Sequence, residues 1–224
     1  VYSTKTAYNA SHGFVKSITY PNGLKVAMDY NSRGYLTTEK NAASGYVYRK
    51  INEQDSLGNI KKASIANNKQ QGEYLYSQRT GQMLMSLVTA NGSNVHYLDY
   101  DNYDSYGNLR SQVNRAISSP QRDTYSYDNL QRLTRSAISV GNTTTYIDYG
   151  YDAVGNLKKK SDYSTNSNSA YAYQSGTNKV TSVALKVGGT ATFGYDRKGN
   201  LIKRNNVTEF TYNVMNKPTV INRL

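Results

Sequence analysis

The sequence predicts an all-β protein in which tandem β-hairpins form a spiralling sheet ribbon. Three observations predict it: a Tyr-Asp-x-x-Gly-Asn-Leu phrase recurs along the chain, the residues before each copy alternate between strand-favouring types, and only three prolines interrupt strand pairing. Recurrence at a nearly fixed interval is typical of a repeat architecture rather than of a conventional enzyme domain.

The phrase is intact three times and degenerate in several further places. The intact copies occupy residues 103–109, 151–157 and 195–201. Degenerate copies occupy residues 30–36, 54–60 and 127–133, and looser echoes begin at Tyr76, Tyr173 and Tyr212. Their starts are spaced about 23 residues apart, so the repeats cover almost the whole chain, from about residue 20 to about residue 217.

Each copy predicts a tight turn between two strands. Asp or Asn at its second position can accept a hydrogen bond from the backbone two residues later, and the glycine supplies the positive φ that a type I turn followed by a bulge requires. The predicted structural turn residues are Tyr30, Gly34, Asp55, Gly58, Tyr103, Asp104, Gly107, Tyr127, Asp128, Tyr151, Asp152, Gly155, Tyr195, Asp196 and Gly199.

The segments between the copies predict the strands and a second set of turns. Residues 124–127, 190–195 and 208–212 alternate with period two before their turns. Short Gly/Asn connections at residues 90–93, 140–143 and 187–190 predict the other turn of each unit. Stacked hairpins would align their tyrosines, which predicts a ladder of cross-strand aromatic contacts.

Composition narrows the function classes. The chain has 23 tyrosines, no tryptophan, no cysteine and a net charge of +12. Without cysteine it forms no disulfide and no thiolate metal site. No apolar run approaches 18 residues, so no membrane span is predicted. The cations are scattered beside the turns, where they solvate strand ends, and nucleic acid is therefore not an expected partner.

The phrase with this spacing resembles the YD repeat of the Rhs family. That family includes bacterial Rhs polymorphic toxins, the B and C subunits of insecticidal Tc toxins, wall-associated bacterial proteins and teneurins. The resemblance implies that the ribbon is part of a Rhs-type hollow shell, which in the toxin members encloses a C-terminal effector. The implied partners are the rest of the shell and that effector, and the implied location is outside the bacterium or on its surface.

No catalytic, cofactor-binding or metal-binding residue is assigned. The self-cleaving Rhs-core segment of the toxin members contains Asp-Pro-x-Gly, which this sequence lacks, so no catalytic aspartate is carried over. The two histidines, His12 and His96, lie in no Gly-x-Ser-x-Gly context. Residues 99–107 are rich in aspartate but lack the ligand spacing of an EF-hand loop, which leaves only a surface calcium site of another type.

The sequence therefore predicts a non-enzymatic shell segment of a secreted bacterial toxin, with no cofactor. Residues 1–224 are expected to form a single repeat segment, which we interpret as a piece of a much longer chain because strand-like sequence reaches both ends. The alternative is a cell-surface adhesion or carbohydrate-binding module, since exposed tyrosine rings beside Asn, Gln and Lys could stack on sugars.

Overall fold

A computed structural model describes residues 3–205 and 208–223, and within them every regular element is a β-strand. The strands are β1 (Lys5–Tyr8), β2 (Val15–Thr19), β3 (Lys25–Tyr30), β4 (Leu36–Asn41), β5 (Val47–Gln54), β6 (Ile60–Ile65), β7 (Gln70–Tyr76), β8 (Met83–Ala90), β9 (Ser93–Tyr103), β10 (Leu109–Asn114), β11 (Gln121–Tyr127), β12 (Leu133–Val140), β13 (Thr143–Tyr151), β14 (Leu157–Lys160), β15 (Tyr171–Tyr173), β16 (Val180–Ala184), β17 (Thr190–Tyr195), β18 (Leu201–Arg204), β19 (Thr208–Tyr212) and β20 (Pro218–Arg223). No helix that could cross a membrane occurs in these ranges.

Strand order in the sheets follows the order of the chain. Strands β1 to β14 succeed one another in one sheet, and β15 to β20 do so in a second. Neighbours pair antiparallel, for example β7 with β8 from Gln70↔Ala90 to Leu75↔Met85. Each strand inside a sheet is therefore one arm of two successive hairpins. The prediction of an all-β fold of tandem hairpins is confirmed.

The chain divides into two compact units that are built in the same way. One comprises Val1–Asp123 and Val140–Asn142, and the other comprises Thr124–Ser139 and Thr143–Leu224. Whether the two units belong to one repeat segment, as the sequence suggests, stays a prediction.

A β-bulge lies opposite the repeat tyrosine in both units. The register of pairing shifts between Asp29 and Tyr30 in the first unit, and between Gly150 and Tyr151 in the second. The same shift precedes Tyr8, Tyr76, Tyr173, Tyr195 and Tyr212. In each case the extra residue lies on the strand that follows the turn, for example Thr37 opposite Tyr30 and Lys158 opposite Tyr151. The repeat tyrosine is therefore the residue that faces the bulge, where the local twist of the sheet increases.

Little of the chain is buried. The buried apolar residues in the described ranges are small or medium in size: Ala63, Val113, Ala170, Val183 and Ala191. The accessible surface is 14773 Å² for a mass of 25.0 kDa. A compact monomer of that mass would expose only about 10,200 Å². The backbone ladders and turns, rather than a deep apolar core, therefore hold most of this structure in place.

Candidate functional site: the repeat turns and their tyrosines

The turn at Asp104 shows the geometry of an intact copy. The Asp104 N–H donates to the Asn108 carbonyl at 3.0 Å, and the Gly107 N–H donates to the Asp104 carbonyl at 3.0 Å. Gly107 has φ +88°, a region in which a side chain would strain the backbone. These are the features of a three-residue hairpin loop, a type I turn followed by a bulge with a left-handed glycine.

The Asp104 carboxylate closes this turn from inside. One of its oxygens accepts from the backbone N–H groups of Tyr106 at 3.0 Å and Asn108 at 2.9 Å. The other oxygen accepts from the Asn108 side-chain amide at 3.0 Å. The amide hydrogen bond, more than any other influence, lowers the pKa of Asp104. The Asn of the repeat phrase therefore holds the Asp in its ionised form.

The turns at Asp55, Asp152 and Asp196 repeat this arrangement. Their carboxylates accept from the side-chain amide of the asparagine four residues later at 2.8 to 2.9 Å. The amide hydrogen bond lowers the pKa of Asp55 and of Asp196. At Asp152 desolvation is the largest influence and opposes ionisation, but the hydrogen bonds from Asn156 and Val154 outweigh it, so the pKa is again lowered.

The degenerate copy at Asp128 keeps the turn with different residues. Gln131 stands where the glycine was expected and adopts φ +62°. Arg132 replaces the asparagine, and its guanidinium donates to the Asp128 carboxylate at 2.8 Å. The backbone hydrogen bond from Arg132 is the first cause of the lowered pKa of Asp128. The turn thus survives the loss of its glycine.

Sequence reasoning missed one copy of the turn, at the start of the chain. Asn9 N–H donates to the Phe14 carbonyl at 2.8 Å, and Gly13 N–H donates to the Asn9 carbonyl at 2.9 Å. Tyr8 precedes it as the repeat tyrosine does elsewhere. The sequence does contain Tyr8-Asn9 and Gly13-Phe14, which correspond to the start and end of the repeat phrase. One extra residue in the loop between them breaks the expected spacing. The loop that begins at Ser77 carries the same extra residue.

Repeat tyrosines join several hairpins to the preceding one. The Tyr103 hydroxyl donates to the Met83 carbonyl at 2.6 Å, and Met83 begins β8. The Tyr151 hydroxyl donates to the carbonyl of Leu133, the first residue of β12, at 2.8 Å. Equivalent bonds join Tyr30 to Val15, Tyr173 to Leu157 and Tyr212 to Leu201. Each acceptor is the first residue of the preceding strand.

In the described residues, the connection that recurs between these tyrosines and the preceding hairpin is a hydroxyl hydrogen bond, not the ladder of ring contacts that was expected. Ring pairs do occur, such as Phe14 with Tyr30 at 5.1 Å and Tyr46 with Tyr48 at 5.5 Å. Repeat tyrosines, however, recur on every second strand, about 9.6 Å apart, which exceeds the distance of ring contact. Their hydroxyls make the connection instead, and burial raises the pKa of Tyr103 and Tyr151.

Two cations connect neighbouring turns in the second unit. The Arg132 guanidinium donates to the Asp152 carbonyl at 3.0 Å and lies 4.8 Å from the centre of the Tyr151 ring. Lys179 donates to the Asp196 carbonyl at 3.4 Å and lies 6.0 Å from the Tyr195 ring. Both cations stand at the last position of their own turn, so each covers the tyrosine of the next repeat.

Potentially reactive side chains are engaged in pairs. His96 lies 3.0 Å from the Ser86 hydroxyl, and the two residues stand on the neighbouring strands β9 and β8. In the aspartate-rich segment, Asp101 is bound by Ser111 and Arg122, and Asp99 by Arg115. Within residues 3–205 and 208–223 there is no cluster of three His, Asp or Glu side chains that could hold a metal ion.

A cavity of about 490 Å³ lies beside the first hairpin. Its apolar floor is formed by His12, Phe14 and Tyr30, whose rings pack on one another at 4.5 to 6.2 Å between centres. The Phe14 ring also lies against Gly34, where an added Cβ would come within 2.8 Å of it. The cluster lies at the surface, since His12 and Phe14 are exposed and Tyr30 is half-buried.

Comparison with solved structures identifies the fold. The chain superposes on a chain of the crystal structure of TcdB2-TccC3-Cdc42 with a TM-score of 0.66 and 16% identity, and on one of TcdB2-TccC3 with 0.66 and 17%. The Photorhabdus luminescens Tc holotoxin pore with the TccC3 D651A mutation gives the same TM-score, 0.66, and 17% identity. This is the fold of Tc toxin chains.

The comparisons also set the extent of the likeness. In all three cases the match covers 98% of this chain and 12% of the other. No protein-family model and no curated protein matches the sequence. The fold that the Rhs resemblance implied is thus supported by structure, and membership of the YD-repeat family stays a prediction.

Proposed function

We propose that this chain is a wall segment of a β-shell in a secreted bacterial toxin of the Tc type, and that the shell encloses an effector. The observation that carries the proposal is the shared fold, which extends over 98% of the chain. The bacterial origin, the secretion and the enclosed effector are parts of the proposal. So is the absence of an enzymatic role for the segment itself.

The low burial of the chain supports a wall rather than a free-standing domain. The accessible surface exceeds that of a compact monomer by about 4,600 Å², which is far more than a standard protein interface needs. A sheet with this much exposed surface gains stability when neighbouring segments of the shell or the enclosed polypeptide cover its apolar side chains. Such a segment contributes surface area to an assembly.

Containment would follow from how the hairpins are joined. To open the wall between two hairpins, the ladder hydrogen bonds and the tyrosine-to-carbonyl bond must break together. Each of these bonds contributes only about 0.5 to 1.5 kcal/mol, but in a repeat array they act collectively. The wall therefore stays closed to proteases and to the cytoplasm of the producing cell until a larger rearrangement opens it.

The test is a protease challenge of the whole polypeptide that carries these residues, with intact mass measured before and after. We expect a second segment to survive while the shell is native and to be digested once the shell is denatured. Immediate digestion of everything outside the repeats under native conditions would refute containment. A control digestion of the isolated second segment shows whether it resists protease by itself.

The carbohydrate-binding alternative has less support. Tyr106 and Tyr146 are more than half exposed, but neither lines the cavity of about 490 Å³, whose aromatic lining is Phe14 and Tyr30. If the protease test fails, binding of the chain to immobilised glycans and its loss in Tyr106→Ala would make adhesion the better hypothesis.

A further inference from the structure

Exposed aromatic rings form a contiguous surface in the cavity beside the first hairpin. The rings of His12, Phe14 and Tyr30 lie 4.5 to 6.2 Å apart between centres, and Phe14 is 39% exposed. The Met28 sulfur, 3.9 Å from the Tyr30 hydroxyl, extends this surface. A continuous apolar surface in a cavity of about 490 Å³ indicates a binding site for a small molecule.

A cation without an acidic partner lines the same cavity. Lys16 is the extra residue of the bulge opposite Tyr8. At the corresponding bulge on β6, the extra residue Lys61 forms an ion pair with Glu53 on the facing strand. Ala7 has the place of that glutamate opposite Lys16. Within the residues that the structure describes, the Lys16 ammonium therefore has no ion-pair partner.

The acid in the lining does not compensate this charge. Asp29 is the one acid that lines the cavity among the described residues, and its carboxylate binds the Lys40 ammonium at 2.6 Å. Lys40 itself lies outside the lining. A ligand can therefore bring Lys16 the carboxylate that the protein does not supply, and such a pair forms charge-assisted hydrogen bonds.

The remaining polar groups of the lining suit hydroxyls. The side-chain oxygens of Asn9 and Asn31 accept hydrogen bonds from the backbone of their own turns. Their NH₂ groups make no hydrogen bond within the described ranges, so two amide donors remain available at the cavity. A ring that carries hydroxyls and one carboxylate would use the aromatic surface, the amides and the ammonium together.

We propose that this cavity binds an acidic sugar, a pyranose ring that carries a carboxylate. The ring lies against Phe14, the carboxylate accepts hydrogen bonds from Lys16, and the hydroxyls face the two amides. The site needs no enclosed effector, so it is independent of containment. It also differs from the adhesion alternative, which places sugars on the exposed rings of Tyr106 and Tyr146.

Ligand-observed saturation-transfer NMR on the whole polypeptide that carries these residues tests the site, with glucuronate as the probe. Glucose, which lacks the carboxylate, and benzoate, which lacks the hydroxyls, are the comparison ligands. We expect saturable binding of glucuronate that is at least about tenfold tighter than that of either comparison ligand, since each of them loses one set of polar contacts. Absence of glucuronate binding, or equally tight binding of glucose or benzoate, would overturn the proposal.

Two matched pairs of variants locate the binding. Lys16→Gln should weaken glucuronate binding at least about tenfold, whereas Lys25→Gln removes an equal charge outside the cavity and should leave it unchanged. Phe14→Ala should weaken it similarly. Its control is Tyr46→Ala, which opens a ring pair outside the cavity at a ring that is 37% exposed, and it should not.

Equal effects within either pair would place the ligand elsewhere and overturn the proposal. Far-UV circular dichroism checks that the variants remain folded. If Phe14→Ala unfolds, the lysine pair alone decides, because both of its substitutions are at exposed positions.

Discussion

Replacement of Gly155 isolates the energetic contribution of one repeat turn. Gly155 has φ +92°, and a Cβ added there would meet no atom within 4 Å. Space is therefore not limiting, and the whole cost of a substitution is the strain of holding a side chain at positive φ. For a β-branched residue that strain is about 2 kcal/mol. Gly155→Val should thus lower the free energy of unfolding by about this amount.

Thermal unfolding followed by circular dichroism measures this cost. For a chain of this length, 2 kcal/mol corresponds to a fall in Tm of about 4 to 8 °C. Gly155→Asn is the matched comparison, because Asn216 already occupies the equivalent turn position at φ +58°. It should cost clearly less than valine does. If Gly155→Val melts with its parent, or if asparagine costs as much as valine, strain at this turn is not what the glycine relieves.

Three further predictions test the remaining parts of the repeat. Tyr151→Phe removes the hydroxyl hydrogen bond to the Leu133 carbonyl and should lower the free energy of unfolding by about 1 kcal/mol. The control Tyr146→Phe, on the same strand, should leave it unchanged. Equal urea midpoints for the two variants would contradict the hydroxyl connection. The turn aspartates Asp104 and Asp196 have lowered pKa values in the folded protein. Their contribution to the stability of the fold is therefore present above about pH 4 and is lost as the pH falls through the folded pKa values. A urea midpoint that stays constant from about pH 6 to about pH 2 would refute this. The half-buried Tyr103 and Tyr151 have raised pKa values when folded, so their contribution to stability is present below about pH 10 and is lost as the pH rises through the folded values. This alkaline loss of stability should be smaller in Tyr151→Phe, and an identical pH profile of the urea midpoint would argue against it.

Turn position and turn chemistry could be predicted from sequence because they are local. The carboxylate of Asp104, the glycine at 107 and the amide of Asn108 interact within five residues, so a short phrase is sufficient to specify them. The copy that follows Tyr8 was missed because a search for a short phrase depends on exact spacing. One extra loop residue removes the phrase from view while the hairpin geometry accommodates it.

The role of the tyrosines was beyond prediction because their partners are distant in sequence. Tyr103 bonds to a carbonyl 20 residues earlier, and it faces a bulge on the paired strand that only the register of pairing reveals. Arg132 and Lys179 likewise reach the following turn, which only strand register brings near. Leu57, Leu130 and Val154 are hydrophobic residue types that the sequence would suggest are buried. Only the geometry of their turns shows that they are exposed.

The sequence by itself determined that this protein is a series of β-hairpins and where most of its repeat turns lie, because turns form through contacts between near neighbours. The tertiary structure decided how one hairpin is fastened to the next. That choice depends on register, bulges and the direction of single side chains between strands, and these are set by pairing across the sheet rather than by any short stretch of residues.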